Sequence, residues 1–273
     1  MELEFWGVRG TFPVMDKRIK KFGGNTPSAL LASACGDVVI IDAGTGIRGL
    51  GDKLMNLKKS KRPARIFIFF THFHLDHIMG LPFFAPLYDA NTEIVFQSCI
   101  EPEELRERLG RFMTEPFYPI ELHKTEAKKI FKRNEPGSSL IGGFKISCCP
   151  LNHPQGSVAY KLEEGGQSVV FATDTEHPKD GIDERLADFA RGASVFIYDA
   201  TFTPREYEAG KQGWGHSTWR EGTRLAKVAQ VGRLLLSHLN PDHTDREIRK
   251  IERLAQKEFP NASCAYEGLR LHF

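Results

Sequence analysis

At 273 residues the chain is long enough for one large buried core and too short for two full-sized catalytic domains with a linker between them. A formal charge of +2 makes no demand for nucleic acid or an anionic membrane as partner, although it leaves a phosphate-bearing substrate open. The opening MELEFWGVRG lacks the basic start and apolar run of a secretory signal, and no stretch approaches the roughly 18 apolar residues of a membrane span. Five cysteines without a C-x-x-C pair argue against a disulfide framework and a zinc ribbon. The expectation is a cytoplasmic protein of one catalytic domain, residues 1–273, with no membrane partner and with reduced, mostly buried thiols.

Apolar, β-branched runs of strand length recur along the chain. SALLAS (28–33) and DVVIID (37–42) predict two strands, followed by a helix over IRGLGDKLMNL (47–57). RIFIFF (65–70) and TEIVFQS (92–98) come next, then a helix over 102–113 whose Pro102 suits a first turn. FKISCCPL (144–151), SVAYKL (157–162) and SVVFATD (168–174) predict three further strands, and a helix over 183–192 ends on Gly192. SVFIYDA (194–200), RLLLSHL (233–239) and LRLHF (269–273) complete the set. Thr218 with Glu221 and Thr244 with Glu247 match the capping box, so helices should begin near 218 and 245. In the second of these, Ile248, Ile251, Leu254, Ala255 and Phe259 make an apolar stripe that should pack on a sheet. About ten strands with interspersed helices predict a layered α/β or α+β fold, and their order suggests two similar halves.

After RIFIFF, the segment THFHLDH packs His72, His74, Asp76 and His77 into six residues. His72 and His74, two apart in an extended segment, point to one side. Asp76 and His77 come where the chain turns, so they approach from another direction. Imidazole and carboxylate are the ligands of catalytic zinc-type sites, and four of them so close together exceed what one tetrahedral ion with an open position takes. Two ions are the better reading. Further ligands should arrive from strand ends, where loops collect on one rim: His153 after FKISCCPL, Asp174 ending SVVFATD and His238 ending RLLLSH. Taken singly, a histidine at a strand end is more often a hydrogen-bonded structural residue than a ligand. The repeated placement carries more weight than any one of them.

THFHLDH, with IIDAGTGIRGLG before it and His153, Asp174 and His238 after it, resembles the metallo-β-lactamase superfamily over nearly the whole chain. The resemblance implies a four-layer αββα sandwich of the α+β class, with a dinuclear metal site at one edge of its two sheets. His72, His74 and His153 would hold the first metal, Asp76, His77 and His238 the second, and Asp174 would bridge them. Asp42 and Gly44 in IIDAGTG would then orient a ligand histidine and form a turn rather than touch metal.

The fold and metals do not fix the substrate. VFIYDATFTPREYEAG followed by GWGHSTW is similar to paired segments of the ribonuclease Z branch, in which a carboxylate and a histidine assist the leaving group. Asp199 stands at the position of the family glutamate and Tyr198 at that of its preceding histidine. His216 is the candidate acid; the competing reading packs it between Trp214 and Trp219 at a helix entry. The amino-terminal RGTFPVMDKRIKKFGGNTPSALL resembles the branch's early glycine-rich substrate loop, so Asn25 and Thr26 are candidate substrate contacts, although a plain turn at GGNTP accounts for the same residues. His243 and His177 are further candidates for the pocket, and a hydrogen-bonding role within their loops accounts for each equally well. The basic runs KKSKRPAR and AKKIFKR are solvated faces or nucleic-acid contacts.

Only 20 residues separate His153 from Asp174, and two strands and a turn take up most of them, so the long arm that grips tRNA in that branch does not fit there. The best remaining match is to the small phosphodiesterases related to ribonuclease Z, which THFHLDHIMGLPFFAPLY and WGHSTW resemble. It implies a hydrolase of cyclic nucleotides or other small cyclic phosphodiesters that uses two divalent metal ions, zinc in the first instance, with manganese and iron open. Asp76 would orient the attacking water, and Asp199 with His216 would assist departure. A homodimer is implied by the same resemblance. Three readings compete: an RNA-processing nuclease of the ribonuclease Z type, a lactonase or thioesterase, and a metal-bearing interaction protein without hydrolytic activity.

Overall fold

The computed structural model describes residues 1–63, 65–135 and 137–273. Six strands, β1 (Glu2–Gly7), β2 (Ser28–Ala32), β3 (Val38–Ile41), β4 (Arg65–Phe69), β5 (Glu93–Ser98) and β6 (Lys128–Arg133), build the first sheet in chain order. Seven more, β7 (Ser138–Ile141), β8 (Phe144–Leu151), β9 (Ser157–Glu164), β10 (Gln167–Ala172), β11 (Val195–Asp199), β12 (Leu234–Ser237) and β13 (Ala262–Cys264), build the second. The last strand, β14 (Arg270–His272), returns to the first sheet and pairs antiparallel with β1. Each sheet begins as an antiparallel meander and continues as parallel strands, from β3 to β6 and from β10 to β13. The two halves expected from the order of elements are therefore real in topology.

Alternation along the strands sorts the side chains into layers. In β4, Ile66 and Ile68 face outward, into a cluster with Ile47, Leu50 and Leu54 of α1 (Ile47–Met55) and Leu105 and Leu109 of α3 (Pro102–Phe112). Phe67 and Phe69 face the other sheet instead. There Phe69 meets Tyr160 edge to face at 5.3 Å, and the Tyr160 hydroxyl donates to the Phe70 carbonyl at 2.9 Å, so one β9 side chain packs and pins the first sheet. On the far side, α4 (Glu184–Ala190), α6 (Trp219–Ala229) and α7 (Asp245–Glu258) cover the second sheet, giving helix, sheet, sheet, helix. In α7, Ile248, Ile251 and Ala255 are buried, in keeping with the expected stripe.

Two short helices sit at the rim, α2 (Leu75–Ile78) directly after β4 and α5 (Pro204–Glu208) after β11. The strands β1, β6, β7 and β13 were not among the expected runs. β6, KKIFKR, reads as a charge cluster because it is the edge of its sheet, where lysine and arginine discourage pairing with another chain. Of the five thiols, Cys149 and Cys264 are buried, Cys99 and Cys148 half-buried and Cys35 exposed, so burial is less general than expected.

Parallel strands aim their carboxyl ends the same way, and the candidate residues leave from those ends. The backbone turns sharply there: Asp42 after β3, Asp174 after β10 and His238 after β12 all adopt left-handed φ values of 60°, 59° and 55°. Left-handed backbone is costly for residues other than glycine, and it is held here by packing on every side.

Candidate metal centre

His72 and His74 leave β4 on one side, and His153 reaches them from the end of β8, with one nitrogen of each ring within 4.8 Å of the others. His153 Nε2 and His74 Nδ1 stand 3.2 Å apart. The opposite nitrogens are occupied by protein oxygens. His153 Nδ1–H donates to the Gly215 carbonyl at 2.8 Å, and His74 Nε2–H to Gln155 Oε1 at 2.7 Å. His72 Nδ1 lies 3.1 Å from the Thr71 hydroxyl, which donates its own proton to Asp42 Oδ2 and is free to accept. Each ring is thus locked in the tautomer that turns a bare nitrogen inward, as second partners do at metal sites.

A second set forms beside it from Asp76, His77 and His238. His77 Nδ1–H donates to Asp42 Oδ2 at 2.8 Å, while Asp42 Oδ1 accepts the Thr71 N–H, which ties the ring to the end of β3. His238 Nδ1–H donates to Thr201 Oγ1 at 3.0 Å, and the same hydroxyl donates to the His238 carbonyl. The inward Nε2 atoms of His77 and His238 stand 3.4 and 3.2 Å from Asp76 Oδ2. Asp174 lies between the sets, 3.3 Å from His77, 3.1 Å from His238 and 3.9 Å from His72.

The protein alone does not satisfy this cluster. His72 Nε2 and Asp174 Oδ2 are buried without a hydrogen-bond partner. Asp42, Asp76, Asp174 and Asp199 are all buried as well, and four carboxylates away from water are costly unless matched by positive charge. Titration directions report the same imbalance. Burial lowers the His77 pKa, yet Asp174, Asp76 and Asp42 outweigh it and hold the ring well above the usual imidazole value. Burial together with neighbouring imidazoles pushes His72 well below that value, which favours the neutral ring with Nε2 bare. The donor set is nitrogen and oxygen only, and two divalent cations would supply four positive charges, so the residues present fit a dinuclear centre.

Next to the cluster, the carboxylate of Asp199, fully buried, makes four hydrogen bonds. Oδ2 accepts from His216 Nδ1–H at 3.0 Å and from the Asp174 N–H; Oδ1 accepts from the N–H groups of Thr201 and Ser217. The shorter acid therefore reaches the histidine. Burial lowers the His216 pKa, but Asp199, with Asp174 and Asp76 behind it, raises it to about 9. The ring stacks on His238 at 4.9 Å and not between the two tryptophans: Trp219 belongs to the core and Trp214 is exposed under Lys211. Glu176 sets the loop before it, accepting from the N–H groups of Gly213 and Gly215 and from the Tyr207 hydroxyl. Gly215 has φ +83°, and a Cβ there would sit 2.4 Å from His153 Nδ1, so the position requires glycine.

Residues 38–260 match the model of the Beta-lactamase superfamily domain. The chain belongs to this superfamily. It is a metal-dependent hydrolase of the metallo-β-lactamase fold. Among curated relatives, ribonuclease Z of Enterococcus faecalis is 27% identical over 320 aligned positions that cover 96% of this chain and 94% of that one. Among solved structures, the metallo-beta-lactamase fold protein YhfI from Bacillus subtilis superposes with a TM-score of 0.73 at 22% identity, covering 99% and 98% of the two chains. A diphosphatase of the PhnP family gives 0.70 at 18% identity, covering 100% and 97%.

Three candidates for substrate contact have their polar groups engaged within the protein. Thr26 is fully buried, and its hydroxyl accepts the Thr45 N–H; the Asn25 amide is spent on Glu267 and Thr45. Their place is the turn into β2. His243 is buried too, with Nε2 on Glu206, while its carbonyl takes the Arg9 guanidinium. His177 donates to or accepts from Ser217 Oγ at 2.8 Å, behind His216. Gly44 has an ordinary φ and serves a close approach, since a Cβ there would lie 2.4 Å from the Asp76 carbonyl. The residues not foreseen are those that hold the imidazoles: Thr71, Gln155, Thr201 and the Gly215 carbonyl. To these Thr11 is added, whose N–H donates to Asp76 Oδ2 at 2.7 Å. Four of these five lie within three residues of a candidate ligand, of Asp199 or of His216, which was the available signal; Thr11 had only its place in the glycine-rich amino-terminal segment.

Proposed function

We propose that this chain hydrolyses small phosphodiesters at a dinuclear centre, with His216 delivering a proton to the departing oxygen. The Asp199–His216 hydrogen bond of 3.0 Å, beside the candidate ligands, carries the proposal. In this reading His72, His74 and His153 would hold one divalent cation, Asp76, His77 and His238 another, and Asp174 both. When bound, the cations supply Lewis acidity toward phosphoryl oxygens and a water acidified toward neutral pH, with zinc the expected metal and manganese or iron the competitors.

The protein's own groups do the rest. Asp199 fixes the Nδ1–H tautomer of His216 and stabilises its cation, which leaves the Nε2–H free to be given up. His216 is 13% exposed at its side chain while Asp199 is closed to solvent, so only the histidine faces a ligand. Thr11 N–H anchors one oxygen of Asp76 and so sets the direction of the carboxylate. With His216 protonated and the bound nucleophile counted as water, the four buried aspartates of the centre and two dications sum to about +1, which favours an anionic diester over a neutral lactone or thioester.

A small substrate is supported by the hairpin between β9 and β10, which turns on Gly165 and Gly166 with no arm. The ribonuclease Z alignment also runs over more positions than this chain has residues, so that relative carries insertions absent here. A second reading, cleavage of RNA, is favoured by the name of that full-length relative.

Metal-replete protein assayed with bis-p-nitrophenyl phosphate, cyclic nucleotides, a 3′-extended RNA, a lactone and a thioester separates these readings. Turnover of small diesters is expected. His216→Ala should cut turnover roughly 10²–10⁴-fold for alkoxide leaving groups and much less for nitrophenolate, which departs without a proton. Turnover of RNA alone would move the assignment to the second reading. No phosphodiester turnover with zinc, manganese or iron would overturn both.

A further inference from the structure

Cys99 follows β5 in the first sheet, and Cys148 lies in β8 of the second, yet their sulfurs stand 3.0 Å apart across the sheet interface. They are 49 residues apart in sequence. Neither thiol is sealed in the core: both are half-buried, and Cys99 lines a cavity of about 550 Å³ whose walls include His72, His74, Arg108 and Gln155. The other thiols are differently placed. Cys149, the next residue in β8, is buried in the core, Cys264 is buried under α7, and Cys35 is exposed beside Ser33 and Asp37.

We propose that Cys99 and Cys148 form a reversible disulfide, with a small peroxide reaching Cys99 through this cavity as the oxidant. A disulfide needs about 2.05 Å between sulfurs, so closure takes roughly 1 Å of side-chain motion and no change of backbone pairing. In the balanced step both S–H bonds and the peroxide O–O bond break and one S–S bond forms. Each sulfur gives up one electron, and each peroxide oxygen takes up one electron and one proton, so hydrogen peroxide leaves as two waters. The local chemistry favours attack by Cys148. The hydrogen bond from Cys99, with the Arg133 charge behind it, holds its thiol below the usual value against burial, whereas that bond and burial raise Cys99. The bridge would fasten the strand ends leading to the candidate ligands. Ser98 Oγ donates to the Phe70 carbonyl two residues before His72, and β8 runs on to His153.

The test uses zinc-loaded full-length protein carrying Cys35→Ser, so that the exposed thiol cannot cross-link copies. On brief treatment with hydrogen peroxide, titratable thiols under denaturing conditions should fall from four to two. Peptide mapping should recover Cys99 linked to Cys148, and dithiothreitol should restore all four. The bridged form should melt roughly 5–15 °C higher, as expected for closing a loop of about 50 residues. Adding Cys99→Ser or Cys148→Ser should abolish both the linked peptide and the shift. Persistence of four thiols in several-fold excess peroxide, or a linkage through Cys149 or Cys264, would overturn the proposal. Mapping the parent protein decides the matter even if the serine variants fail to fold.

Discussion

His77 owes its orientation to Asp42, which joins the end of β3 to the end of β4 through both carboxylate oxygens. Asp42→Asn keeps the size of the side chain and removes the charge that fixes the His77 tautomer. It should weaken retention of one of the two cations by about 10–100-fold, measured as metal content after dialysis against a graded chelator. Full retention of both would show that Asp42 merely packs. The histidines and acids themselves were readable from sequence because H-x-H-x-D-H crowds four donors into six residues and because the others close strands. Their holders were not readable, since a threonine hydroxyl or a glycine carbonyl has no chemical signature. Asn25 and Thr26 stayed open between two readings for a related reason: a polar pair in a glycine-rich turn looks the same whether it meets a ligand or protein partners such as Thr45 and Glu267.

Helix starts were the most legible elements. Thr244 caps α7 with a full capping box, its hydroxyl receiving the Glu247 N–H while the Glu247 carboxylate returns to Thr244. Thr244→Ala should cost about 1 kcal/mol, read from the urea midpoint and slope. Thr218 caps α6 by half of the same device, because Glu221 turns to Arg224 instead. Thr203 and Glu206 make a third box at α5, visible as T-x-x-E though too short a helix to show a period. Asp245 adds a pH-dependent contribution. Burial raises its pKa, but N–H groups of Lys21, Lys20 and Phe22, with Arg9, outweigh burial and leave it depressed. A depressed acid adds stability above its unfolded value of about 3.9, and that stability is lost as pH falls through the folded value. The advantage of the wild type over Asp245→Asn in urea should therefore be constant above about pH 5 and shrink below about pH 4. An advantage that persists at low pH would assign it to packing.

At the scale of the molecule, the fold class followed from strand count, order and motif, while four strands escaped. β6, β7 and β13 are short, charged or at an edge, and in β1 the buried Glu4, paired with Lys53 and Arg270, breaks the apolar run. The sheets are joined by aromatic packing, with Phe5 of β1 6.5 Å from Phe171 of β10. Phe171→Ala should cost about 3–5 kcal/mol, measured by urea unfolding. A much smaller loss would mean that the neighbouring residues collapse into the gap.

The return of β14 to β1 has a consequence for assembly. The first half carries His72, His74, Asp76 and His77, the second His153, Asp174 and His238, and the last strand clasps the second half to the first. Under the proposed ligand assignment, the centre is a chelate whose two arms are half-molecules. Cation capture then contributes to cohesion between them, and fragments cut between β6 and β7 should gain tight metal retention only on recombination, which makes the ion a reporter of assembly.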